Sequence, residues 1–170
     1  MQSTHELLDL VDENDQVIGQ KLRTEMYAEN RSNFRVVNAF VMNQNGQLWI
    51  PRRTAHKSLF PLCLDMSMGG HVQSGESYEK ALQRELQEEL NFDLKQIIYR
   101  ELGYLSPHTH AVSAFMRVYE IRAETVPDYN REDFVAYYWL TPLEAIERIE
   151  KGDPAKGDLP KLIRIFYHDL

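Results

Sequence analysis

Residues 70–92 read Gly-His-Val-Gln-Ser-Gly-Glu-Ser-Tyr-Glu-Lys-Ala-Leu-Gln-Arg-Glu-Leu-Gln-Glu-Glu-Leu-Asn-Phe, a glycine loop that runs into a helix dense in glutamate. Glu85, Glu88 and Glu89 stand at i, i+3 and i+4. At about 100° per residue the outer two lie only about 60° and 40° around the helix from the first, so all three share one face. Like charges at that spacing weaken an isolated helix by roughly a few tenths of a kcal/mol per pair, a cost that bound cations would remove. An all-oxygen ligand set points to a hard divalent ion, Mg²⁺ or Mn²⁺. A bare run of Glu, Gln and Lys more often marks a solvated helix face, so the flanking residues decide.

Those residues follow a spacing. Gly70 is followed after five residues by Glu76, then after seven by Arg84-Glu85-Leu86, Gln87, Glu88-Glu89 and finally Asn91-Phe92. The pattern resembles the Nudix box, Gly-x5-Glu-x7-Arg-Glu-U-x-Glu-Glu-x-Gly-U with U apolar. Only the last glycine departs, as Asn91, and Asn is the next-best residue for a left-handed helix cap. The resemblance implies a Mg²⁺- or Mn²⁺-dependent hydrolase of a phosphoanhydride bond, in a nucleoside diphosphate linked to another moiety or a related small-molecule diphosphate. It implies Glu85, Glu88 and Glu89 as metal ligands and the Gly70 backbone carbonyl as a further one. It gives Glu76 a supporting electrostatic role and sets Arg84 to hold a glutamate in its working rotamer. The general base is Glu88, Glu89 or a carboxylate elsewhere. For a further carboxylate from a distant loop the candidates are Glu120, Glu132 and Asp133, with the last two preferred because they precede the apolar run 134–140.

A second likeness lies upstream. Arg52-Arg53-Thr-Ala-His-Lys57-Ser-Leu-Phe60-Pro61, Ser67-Met-Gly-Gly-His71 and Asp12-Glu-Asn-Asp-Gln-Val-Ile-Gly19 resemble the branch of Nudix proteins related to type I isopentenyl-diphosphate isomerases. Those isomerases place a catalytic cysteine just before the Gly-His pair, where this chain has Gly69. Their additional metal histidines find no counterpart around Val37. The lone Cys63 lies six residues before Gly69 and reads as a small buried hydrophobe. Hydrolysis is therefore expected over isomerisation or a non-catalytic ligand-binding module, whose metal glutamates would be eroded. Arg52, Arg53 and Lys57 supply guanidinium and ammonium groups suited to phosphate, and His71 is a further candidate substrate contact. His108 and His110, and the aromatics Trp49, Tyr104, Tyr137, Tyr138 and Trp139, are weaker candidates; aromatics at strand spacing are usually core.

The rest of the chain frames this site. Its 170 residues suit one domain, 1–170, and its 43% hydrophobic and 26% charged content is that of an ordinary globular protein. The net charge of −7 argues against a nucleic acid polymer as partner. No apolar run is long enough for a membrane span, the N-terminus lacks a signal pattern, and one cysteine suits a reducing compartment, so a cytoplasmic setting is expected. Strand-like runs at 6–11 and 17–22 predict an N-terminal hairpin over about 6–22, whose edge could serve a homodimer. Further strands are expected at 35–42, 47–52, 95–105, 111–121 and 134–140, with Asn45-Gly46 as a hairpin turn and Pro51 marking a strand edge or exit. Helices are expected near 24–29, at 77–90, at 142–150 after a Thr141 cap, and at about 159–168. Mixed strands between helices give a three-layer α/β/α sandwich with a mixed sheet, the fold that the Nudix resemblance also implies.

Overall fold

The computed structural model describes residues 5–168. Strands β1 (Leu7–Val11) and β2 (Val17–Leu22) form the expected N-terminal hairpin. Its turn is organised by Asp12, whose Oδ1 accepts the backbone N–H groups of Asn14 and Gln16, both at 2.9 Å. A short helix α1 (Arg23–Ala28) follows. Then come β3 (Arg35–Met42), β4 (Leu48–Arg53), β5 (Met68–His71) and helix α2 (Tyr78–Leu90). Strands β6 (Ile98–Leu105), β7 (Phe115–Arg122) and β8 (Phe134–Leu140) and helices α3 (Pro142–Glu150) and α4 (Asp158–Phe166) complete the chain.

The main sheet runs β6-β7-β3-β4-β8, with β5 paired to β3. It is mixed because β3 and β7 are parallel while the other pairs are antiparallel. Alternation along β3 divides the core. Val37, Ala39 and Val41 face α2 and meet Ala81, Leu82, Leu86 and Leu90, while Phe40 and Met42 face α3 and α4 and meet Ile146, Leu159, Leu162 and Ile163. Each fully buried leucine of α2 contributes about 1.5–3 kcal/mol, so its apolar stripe holds the helix on the sheet despite the glutamates opposite. Ser77 caps α2 by accepting the Lys80 N–H at 3.1 Å, and Asn91 ends it at φ 53°. The sequence-based expectation for that cap holds. Among the described residues no helix is long and apolar enough to cross a membrane.

Two departures from the sequence reading shape the site. Strand β5 was not expected, since Met-Gly-Gly-His carries no strand propensity; its pairing is imposed by β3, with Val37 opposite Gly70 and Asn38 opposite Gly69. Strand β7 starts at Phe115 instead of 111, which frees residues 111–114 as a loop. Strands β3 and β4 share a register pair only at the hairpin end, Met42 opposite Leu48. Beyond it they part, and Pro51 lies in the parted stretch. Its carbonyl accepts the Asp65 N–H at 3.0 Å on the side away from β8, where its missing N–H leaves no gap in a ladder. Residues 64–71 fill the gap, with Leu64 bridged to Arg52, Ser67 bonded to Val41 and Trp49, and β5 paired to β3.

Candidate active site

A cavity of about 350 Å³ lies against β5, walled by residues of β3, β5, α1 and α2, by Arg53 at the end of β4, by the loops 57–60 and 111–113, by Asp133 and by the start of α4. Helix α2 turns Glu85 and Glu89 onto this wall, where they are 1% and 8% exposed. Glu85 reaches so close to β5 that a Cβ on Gly70 would stand 2.1 Å from its Cδ. Only glycine leaves room for that carboxylate. Arg84 ties the loop to the helix. It grips Glu76 through Nε and Nη2 at 2.8 and 2.9 Å, donates to the His71 carbonyl at 2.9 Å and to Glu85 Oε1 at 2.8 Å, and lies 3.5 Å from Glu88.

The third carboxylate on the wall is Asp133. The connection before β8 docks on the end of α2, where Asn130 N donates to the Glu89 carbonyl at 2.7 Å and Asn91 Nδ2 to the Asp128 carbonyl at 2.7 Å. Asp133 is 2% exposed and accepts from Lys57 Nζ at 2.6 Å. Its Oδ2 and Glu89 Oε2 are both buried with no hydrogen-bond partner. Burial pushes Glu85 up to about 7, opposed by Arg84 and reinforced by Glu88. Burial, then the negative charges of Glu85, Asp133 and Asp65, push Glu89 well above the carboxylate range, against a smaller pull from Lys57. Among the described residues Glu89 has no ion-pair partner, and one oxygen each of Glu89 and Asp133 is left without a hydrogen bond. Orphaned buried oxygens in an oxygen-only donor set fit a hard divalent cation. Among the described residues no three acidic, histidine or cysteine side chains already converge as a ready-made metal cluster, and Arg84 and Lys57 hold one oxygen each of Glu85 and Asp133.

Several residues singled out by sequence stand elsewhere. Arg52 is no part of the cavity wall: its guanidinium makes a bidentate pair with Asp153, at 2.9 Å twice, and a bond to the Leu62 carbonyl at 3.0 Å. Its strand neighbour Arg53 does reach the wall, anchored to Asp65 at 2.7 Å and the Leu59 carbonyl at 3.0 Å. Glu120 lies outside the cavity, buried among Arg100, Arg122 and the Tyr167 hydroxyl, which donates at 2.7 Å. Glu132 is exposed, whereas adjacent Asp133 points inward. Glu88 is half-buried beside Arg84 and off the wall. His71 is on the wall, bonded through Nε2 to the Tyr27 hydroxyl at 2.8 Å, and burial together with Arg23, Lys156, Arg84 and Arg53 pushes it well below its ordinary value, keeping it neutral. His108, His110, Trp49, Tyr104, Tyr137, Tyr138 and Trp139 do not line the cavity; its aromatics are Tyr27 and Phe60. Cys63 is only half-buried.

The wall also holds Arg23, Asn38, Lys156 and Lys161, none of which the sequence reading singled out. They come from segments with no motif, and nothing local marks them. Asn38 explains the position of Gly69: a Cβ there would stand 2.8 Å from Asn38 Oδ1. The place of the isomerase cysteine is thus closed by an amide.

The family profile described as NUDIX domain matches residues 32–162. The chain belongs to the Nudix hydrolase family. An uncharacterized Nudix hydrolase of Nostoc sp. is 62% identical over 162 residues, which is 95% of this chain and 96% of that one. The crystal structure of a Deinococcus radiodurans protein aligns with a TM-score of 0.91 at 50% identity, covering 95% of this chain and 99% of that one. An isopentenyl-diphosphate Delta-isomerase of Kocuria rhizophila is 26% identical over 154 residues, 88% of this chain and 86% of its own. That likeness is consistent with the isomerase-like resemblance of residues 12–19 and 52–71 in this Nudix hydrolase.

Proposed function

We propose that this Nudix hydrolase cleaves a phosphoanhydride bond of a small-molecule diphosphate, a nucleoside diphosphate linked to another moiety or a related compound, with Mg²⁺ or Mn²⁺. The observation that carries the reading is the buried trio Glu85, Glu89 and Asp133, with an unbonded oxygen on each of the last two, on a wall that also presents Arg53, Lys57, Lys156 and Lys161. Glu85 and Glu89 would hold the cation, with the Gly70 backbone alongside. When bound, it supplies charge neutralisation at the phosphoryl oxygens and a more acidic water. The lysines and Arg53 bind and orient the diphosphate, whose own negative charge otherwise repels a nucleophile. Glu89 and Asp133, the carboxylates with a free buried oxygen on the wall, are the residues able to accept the proton of the attacking water. Arg84 and Glu76 position Glu85 and do not reach the cavity. The N-terminal hairpin is stapled to the glycine loop by Ser74 N donating to the Leu7 carbonyl at 2.8 Å, which supports reading residues 1–170 as one domain.

The test is a screen of nucleotide sugars, dinucleotides, nucleoside triphosphates and isoprenoid diphosphates with Mg²⁺ and with Mn²⁺. On the substrate found, Glu89→Gln should cut turnover at least about 100-fold, the scale for a central charge-stabilising group. Metal-dependent phosphate release at wild-type rate from both Glu89→Gln and Asp133→Asn would overturn the assignment.

A further inference from the structure

Residues before 32 lie outside the matched Nudix profile, yet they build part of the cavity wall. The β1–β2 hairpin leads directly into α1, which sets Arg23 and Tyr27 on that wall. Arg23 is held by its backbone, whose N–H donates to the Glu6 carbonyl at 2.8 Å, and its Cζ lies 5.7 Å from the centre of the Tyr27 ring. The residue is 8% exposed and its Nε is buried with no hydrogen-bond partner. Among the described residues no carboxylate pairs with its guanidinium.

That sets Arg23 apart from the other cations of the wall. Arg53 pairs with Asp65, Lys57 with Asp133, Lys156 stands 3.9 Å from Asp65, and Lys161 donates to the Ala111 carbonyl at 2.5 Å. Burying the guanidinium with Nε unbonded costs desolvation that the Tyr27 ring and the attraction of Glu6 offset only in part, and the cavity is where an acceptor can reach it. The planar fork of arginine matches two phosphate oxygens at once. Arg53 and Lys156 line the same cavity as Arg23.

We propose that Arg23 is a substrate-binding residue whose guanidinium takes a phosphate of the diphosphate substrate, making the N-terminal hairpin and α1 part of the substrate site. The proposal rests on the diphosphate reading above, and its test separates the two. The probe is methylene diphosphonate, which cannot be hydrolysed, titrated by calorimetry with Mg²⁺ into wild type, Arg23→Met and Arg23→Lys. Arg23→Met should weaken binding about tenfold or more, as expected for a lost charge-assisted hydrogen bond, and raise KM by a similar factor on the substrate found, with Arg23→Lys recovering part of the loss. The Tm of ligand-free Arg23→Met should stay level or rise, because a buried charge with no ion pair has gone. Unchanged Kd and KM in Arg23→Met would overturn the proposal and leave the hydrolase reading standing. So would wild type that fails to bind the diphosphonate, or a fall in Tm that Arg23→Lys restores without restoring binding. Arginine-dependent binding in a protein that hydrolyses no diphosphate would uphold this site and sink the hydrolase reading.

Discussion

Gly70→Ala offers the sharpest check on how β5 and α2 together make the site. The backbone at Gly70 is not in the left-handed region, so alanine is tolerated by its conformation. The obstacle is Glu85, whose Cδ, Oε1 and Cγ would lie 2.1, 2.3 and 2.4 Å from the new methyl. Glu85 is 1% exposed and bound to Arg84 at 2.8 Å, so it can yield only by giving up that bond inside a packed interface. Overpacking costs about 1–3 kcal/mol and a lost hydrogen bond between charged groups about 1.5–3, so a destabilisation of about 3 kcal/mol or more is expected. For a chain of this size that is a fall in Tm of roughly 6–12 °C. In a Glu85→Ala background the three clashing atoms and the bond to Arg84 are already gone, and the same methyl should cost less than about 1 kcal/mol. Urea unfolding followed by circular dichroism, with a chelator present, measures the four proteins of the cycle. Equal costs of Gly70→Ala in both backgrounds, within about 0.5 kcal/mol, would refute the claim that Glu85 is why residue 70 is glycine.

Other outcomes follow from the same contacts. Glu120→Gln should lower stability by about 1–2 kcal/mol in urea, through its bonds to Tyr167 and Arg100, while leaving turnover within about twofold, because the residue is outside the cavity. Arg52 and then burial and Arg148 act on Asp153, with the net effect of holding its folded-state pKa below the ordinary 3.8. On acidification the unfolded chain therefore takes up that proton first; the stabilisation is complete above about pH 4 and fades below it, and Asp153→Asn should flatten the acid limb of a Tm-against-pH curve. Gly69→Cys restores the isomerase's thiol position but drives its Cβ against Asn38 Oδ1, so isotope exchange between isopentenyl and dimethylallyl diphosphate should stay at background.

What could be read along the chain was whatever depends on near neighbours. The α2 periodicity, its Asn91 cap, the Asn45-Gly46 turn and the Thr141 cap all appear where local spacing places them. Pairs of adjacent candidates were harder. Arg52 and Arg53 looked equivalent, as did Glu132 and Asp133, and in each pair the structure sends one side chain to the cavity and the other away from it. Successive side chains of an extended segment point to opposite faces, so the choice depends on which face is covered, and Arg52 is claimed by Asp153, 101 residues further along. Glu120 sits in a strand whose inward face happens to carry Tyr167 and not the cavity.

The sequence by itself determined the helix and its setting: three glutamates close together on one side of α2, a glycine loop before them, and glycine at position 69. Those follow from helical periodicity and motif spacing, which the backbone expresses locally. Only the tertiary structure decided that Glu85 and Glu89 are buried with raised pKa values, that Asp133 joins them on the cavity wall, and that Arg23 lines the same cavity with its Nε unbonded. Desolvation and charge proximity arise from segments far apart in the chain packing on one cleft, and no local pattern records where those segments meet.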